Sequence, residues 1–228
     1  YALIAVLYVI ALYTVIQLPL TGVRQGPRRS IGREIVSGLE YIKREPRLLG
    51  VISLSLARVL LAMPYGTLLP QYADKIMGLG ASGLGLLASA SGIGGLIAAL
   101  GVAALGDFKK KGRLLLIAGM LMAVGLIVLS LTRSLVVAFI LLIMVGMGNN
   151  TGMVANQTLV QTYCEDEYRG RVMSTYTMLW GLTPLGTIPA GALADHFGVP
   201  AVFAGQGVLL LIIFMLVWFK ISALRTLE

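Results

Sequence analysis

No aspartate, glutamate, histidine or lysine interrupts the long apolar runs of this chain, and those runs fill most of its 228 residues. Charged residues make up only 12% of the sequence, about half the share of an ordinary soluble domain. A single cysteine, Cys164, excludes an internal disulfide. A single histidine, His196, leaves no His cluster for a metal and no His partner for a mid-chain serine. No Gly-x-Ser-x-Gly is present, and no Gly-Lys pair follows the glycine-rich stretches at 80–83 and 92–95, so these read as turn and packing glycines and not phosphate loops. Neither a catalytic set, a metal site nor a cofactor is expected, and the chain does not read as an enzyme. No charged segment precedes the first apolar stretch, which therefore reads as a span and not a signal peptide. The chain starts at Tyr1 and not at Met, and reads as a piece of something longer.

What is abundant is apolar length. Seven stretches, at about 1–20, 48–72, 83–106, 114–132, 135–161, 172–194 and 197–219, contain one charge between them, Arg58. Each is close to or above the roughly 20 residues that cross about 30 Å of hydrocarbon. They are continuously apolar, which predicts helices; barrel strands would alternate apolar and polar residues. The expected fold is an all-α polytopic membrane bundle of seven spans in a lipid bilayer. The net charge of +8 does not point to nucleic acid, because the basic residues cluster at the span ends. Fifteen of the eighteen Lys and Arg fall in segments on one side; the other side has only Lys75 and Arg133. The positive-inside rule puts the set of fifteen, and the C-terminus, in the cytoplasm.

One connection is long. Residues 21–47 begin with a Gly-, Arg- and Pro-rich linker at 22–30. They continue with Ile31, Ile35, Leu39 and Ile42 at helical spacing, which predicts an amphipathic helix lying at the membrane surface. This segment separates one leading span from a block of six. Within the block, Ala104-Leu105-Gly106-Asp107 aligns with Ala192-Leu193-Ala194-Asp195 at an offset of 88 residues. The topology puts the two aspartates on opposite sides. Two triplets of opposite orientation fit the inverted repeats of transporters.

Three local sequences carry a resemblance. The run from Gly106 to Arg113 resembles a cytoplasmic Gly-x-x-x-Asp-Arg-x-Gly-Arg-Arg signature, with Ala103 in place of the leading glycine and Gly112 displaced by two positions. Asp166-Glu167-Tyr168-Arg169-Gly170-Arg171-Val172-Met173-Ser174 resembles an Asp-Glu-x-Arg-Gly-Arg-Val-Met-Ser loop, and Gly191 to Asp195 with Gly198 resembles the end of an eleventh helix. Together they are similar to the C-terminal half of a major facilitator superfamily transporter, in the bacterial drug and enterobactin exporter branch. The resemblance implies that residues 1–20 are the last helix of an N-terminal half, 21–47 the linker between halves, and 48–228 the six-helix C-terminal half. It implies secondary active export of small amphipathic molecules, drug-like or siderophore-like, by alternating access. The partners would be a small-molecule substrate and the absent N-terminal half, in the bacterial inner (plasma) membrane. The alternative is a seven-helix receptor or another non-transporting membrane protein. Against a retinal receptor, no lysine lies mid-span.

Arg58 lies ten residues into its span, about 15 Å deep at 1.5 Å per residue. An arginine there costs at least about 2.5–3.5 kcal/mol and ordinarily faces a cavity or a partner. Ser55 and Tyr65 share its face, and Pro64 and Gly66 interrupt the helix beyond it. Three roles are open for Arg58: contact with an anionic or acceptor-rich substrate, pairing with a carboxylate in the absent half, or a structural pair or gate. The fifth span brings Asn149, Asn150, Asn156 and Gln157, which either coordinate a ligand or hold helices together. Trp180 belongs to a face with Tyr176, Thr183 and Thr187, either packing or a ligand shelf. The family resemblance implies a cytoplasmic latch of Asp107 with Arg113, and the same two readings, latch or topology signal, hold for Arg169 and Arg171.

Overall fold

The computed structural model describes residues 2–17, 31–106 and 110–220, and every regular element among them is helical. The chain divides into two compact units, residues 1–31 and 32–228. The first contains α1 (Ala2–Ile16), unbroken and uncharged. In the second are α2 (Ile31–Arg44), α3 (Pro46–Leu61), α4 (Pro64–Gln71) with a π-helical turn at Tyr72–Ile76, α5 (Gly80–Leu105), α6 (Lys111–Leu131), α7 (Leu135–Tyr163), α8 (Arg169–Gly181), α9 (Thr183–Phe197) and α10 (Val199–Lys220). Five runs are long and apolar enough to cross a membrane: Pro46–Ile76, Gly80–Ala104, Lys111–Leu131, Leu135–Tyr163 and Val199–Lys220. The fifth expected stretch of the block, 172–194, is two helices, α8 and α9. The linker at 22–30 and Asp107 lie outside the described residues.

Both interruptions have a proline at their root. Pro64 has no N–H to return to Leu60, and the chain tightens into three-residue bonds, Tyr65 N to Ala62 O and Gly66 N to Met63 O, both 3.2 Å. Pro184 does the same after Leu182, where Leu185 N bonds Leu182 O at 2.9 Å. Pro189 is accommodated inside α9. The two breaks meet: a Cβ on Gly186 would lie 2.4 Å from the carbonyl oxygen of Leu60, the acceptor Pro64 leaves without its helical donor. The breaks do not follow the expected repeat. The first triplet is interrupted in its first span, the second in its middle one.

Lipid tails are as apolar as leucine, so helices associate here by close packing and not by escape from water. Glycine provides that closeness. A Cβ on Gly146 of α7 would sit 2.2 Å from Ser91 O of α5, and one on Gly148 would sit 2.6 Å from Ala118 O of α6. Thus α7 is wedged between α5 and α6 through two glycines on different faces. On the far side of α6, the Phe214 ring of α10 fills the space a side chain at Gly119 would need. Leu116, Met122, Leu126, Leu142, Val145, Phe203 and Phe214 are fully buried in this core. Leu96, Leu100, Ile140, Ile188 and Phe219 are exposed, as an apolar solvent allows.

Helix α2 does not lie free on a surface. Ile42 is buried, Tyr41 stacks on Tyr168 with centroids 4.4 Å apart, and the Glu165 N–H donates to the Tyr41 hydroxyl at 3.2 Å. A Cβ on Gly38 would lie 3.0 Å from the Thr175 hydroxyl and 3.1 Å from Arg171 O. The docked face is centred on Gly38, Tyr41 and Ile42, while Leu39 of the expected apolar stripe is exposed. The reason is packing: glycine permits approach to the α8 backbone, and tyrosine brings an aromatic ring with a hydrogen-bonding tip.

Candidate functional site: a buried arginine between two broken helices

Arg58 stands one turn before the α3 break and reaches across to α7. Its Nη2 donates to the backbone oxygen of Asn149 at 2.7 Å and to Asn149 Oδ1 at 3.0 Å. The guanidinium occupies the space left by Gly152, where a Cβ would lie 2.9 Å from Nη1. Arg58 is only 5% exposed, although this chain alone contributes the packing. No carboxylate pairs with it among the described residues, and its Nε has no partner. One turn earlier the Ser55 hydroxyl donates to Val51 O at 3.1 Å and accepts from Asn156 Nδ2. Asn156 Oδ1 is buried and unpartnered.

Ser55, Arg58, Asn156, Tyr176 and Trp180, with Met63 at the break, line one cleft. It offers about 10 Å³ to the centre of a water-sized sphere, about enough for one water. Tyr176 and Trp180 come from α8, just before the second break. Two discontinuous helices and the amide-rich α7 therefore converge on one cation, with a donor at Arg58 Nε and an acceptor at Asn156 Oδ1 left over.

The other candidates are placed differently. Tyr65 is buried beyond the break and does not line the cleft. Asn150 bonds its own helix at Gly146 O, 3.2 Å, and its amide abuts Gly95 of α5, which is helix packing. Gln157 is exposed. Arg113 is exposed. Arg169 forms a local 2.7 Å ion pair with Asp166, and Arg171 lies over the Tyr168 ring at 5.2 Å. Gly152, one turn after Gly148 on α7, seats the guanidinium. A larger groove of about 370 Å³ runs between α3, α9 and α10, lined by Leu61, Pro189, Phe197 and Leu209 with Gln206 as its one polar residue. It offers no charge to orient a ligand, unlike the cleft at Arg58.

Comparison with known proteins agrees with this architecture. The sequence profile of the Major Facilitator Superfamily matches residues 1–187. A staphyloferrin A transporter of Staphylococcus aureus (strain NCTC 8325 / PS 47) is 25% identical over 181 residues, covering 79% of this chain and 45% of that protein. The multidrug efflux pump Tap of Mycolicibacterium fortuitum is 30% identical over 185 residues, covering 78% of this chain and 44% of the pump. Tap of Mycobacterium bovis (strain BCG / Pasteur 1173P2) is 29% identical over 197 residues, covering 85% and 46%. The chain spans less than half the length of these relatives.

Proposed function

The chain belongs to the major facilitator superfamily, and on that premise we propose that it forms the C-terminal half of a secondary active exporter of small amphipathic molecules. A membrane-buried cation set beside two helix breaks is the observation that carries this reading. Secondary transporters build midplane sites from discontinuous helices, and the two halves rock around them. Arg58 supplies the charge, Ser55 and Asn156 the neutral polar groups, and Tyr176 with Trp180 the aromatic wall. The cleft is nearly closed, which suits a state that does not hold substrate. Opening at Ala62–Met63 and Leu182 would enlarge it. Relatives named as a staphyloferrin A transporter and as multidrug efflux pumps support a drug-like or siderophore-like cargo. No acidic residue lies mid-span, so a proton-coupling carboxylate would come from the N-terminal half. The membrane is the bacterial inner membrane, with the C-terminus cytoplasmic. Asp107 and Arg113 would latch one closed state.

Alternating access is tested by spin-label distances between the two halves of the full-length protein, measured on both membrane faces. Asp107→Asn should lengthen the distances on the Arg113 side and shorten those on the Ser134 side. Distributions that stay unchanged would reduce the loop to a topology signal, and distances that widen on both faces together would reject the rocking mechanism.

A further inference from the structure

Lys75 and Arg133 are the two basic residues of the connections opposite the basic side. They are far apart in sequence, yet both line one polar cleft of about 340 Å³ with Thr132 and Pro200, while Ile76 and Leu131 add apolar surface. The cleft is built and not incidental. Lys75 projects from the π-helical turn Tyr72–Ile76, a widened turn of the kind that recurs at functional sites. The turn is pinned by Tyr72, which is fully buried. Its hydroxyl lies 3.0 Å from Leu129 O and 2.9 Å from Thr132 O, sharing its proton between two carbonyls at the end of α6. Its ring rests against Phe203 of α10, centroids 5.5 Å apart. One buried side chain thus fastens three helix ends so that Lys75, Arg133 and Pro200 face a common space.

The charge in this space is not balanced. Asp195 Oδ1 approaches Lys75 Nζ only to 4.0 Å, between largely exposed side chains, a pairing of little strength. Arg133 makes no ion pair among the described residues, and the neighbouring Asp74 does not line the cleft. Translocated connections tend to be poor in Lys and Arg, so the gathering of both cations at one cleft asks for an anion. The cleft sits at the ends of α6 and α10, where headgroups lie, and Leu131 at its rim is 79% exposed. We propose that the cleft binds a phosphate oxyanion, that of an anionic phospholipid headgroup, with Lys75 and Arg133 as its two donors and Leu131 against the lipid's apolar part.

The test uses the full-length protein with phosphatidylglycerol and phosphatidylcholine, bound lipid being counted by native mass spectrometry. Wild type should retain phosphatidylglycerol preferentially. Lys75→Gln with Arg133→Gln should weaken that retention by roughly thirtyfold, about fivefold for each cation lost near a membrane surface. Lys75→Arg with Arg133→Lys should keep it. Single Arg133→Gln, a change at an exposed side chain, should give the intermediate value if the double variant does not fold. Equal retention by wild type and a folded glutamine variant would overturn the site. Displacement of the lipid by millimolar inorganic phosphate would overturn the lipid assignment in favour of a free anion; persistence of the lipid supports it.

Discussion

At Arg58 the cost of a membrane-buried cation is met within the chain, by α7. Its Nη2 is shared between the Asn149 backbone oxygen and side-chain oxygen, and hydrogen bonds to charged groups are worth about 1.5–3 kcal/mol. Asn149→Ala keeps the backbone acceptor and loses the other. We expect it to destabilise the protein by about 1–2 kcal/mol, with a double-mutant cycle against Arg58→Ala assigning most of that loss to the pair. Thermal melts in detergent would measure both; additive effects would mean that Asn149 is not the anchor. Cys164, at the end of α7, behaves as a buried thiol. Burial pushes its pKa up, Arg169 pulls it down, and Glu165 and Asp166 push it up again, with a net rise. The thiolate is the reactive form, so maleimide should label Cys164 more slowly than an exposed cysteine at neutral pH. Its rate should still be climbing at a pH where an ordinary thiol has levelled off. A rate that levels off at the ordinary thiol value would contradict the buried placement.

The two broken helices are where sequence and structure meet most closely. Pro64 and Gly66 predict the first break because a missing N–H and a missing side chain are local properties. Pro184 and Pro189 both forecast a bend in α8–α9, and the break stands at Pro184 while Pro189 lies inside α9; the polar faces of α3 and α7 single out Ser55, Arg58, Asn149 and Asn156. Contacts between distant segments are not legible in this way. Nothing near Gly38 or Tyr41 announces Thr175 or Tyr168, and nothing near Asn150 separates a ligand-facing amide from one turned toward Gly95. Depth alone tells that Arg58 faces a cavity or a partner, whereas its orientation depends on Gly152, almost a hundred residues away. At the contact of the two breaks, Gly186→Leu would drive a side chain into the Leu60 carbonyl. Overpacking of this kind costs about 1–3 kcal/mol. Its melting midpoint should fall, while the same change at half-buried Gly191, with nothing within 4 Å of a Cβ, should leave it nearly unmoved. Equal effects at the two positions would remove the packing argument.

For the whole molecule, α7 is the organising element. Gly146 meets α5 on one face; on the other, Gly148 meets α6 and Gly152, one turn later, seats the guanidinium from α3. A movement of α7 relative to α3 would therefore break the Arg58–Asn149 contacts and open the cleft at the same time, which on the proposed function would link conformational change to ligand recognition. Because this chain spans less than half the length of its relatives, the decisive assay needs the full-length protein. The direct measurement is flux and equilibrium binding of ethidium and fluorescein, an amphipathic cation and a carboxylate, by wild type, Arg58→Ala and Arg58→Lys in proteoliposomes. Wild type should move at least one dye. Arg58→Ala should insert normally and lose flux by at least about tenfold, the equivalent of about 1.4 kcal/mol. Arg58→Lys should recover only part of it, because lysine lacks the planar fork of donors. Near-wild-type flux by a correctly inserted Arg58→Ala protein would contradict the account and leave Arg58 as a packing charge alone.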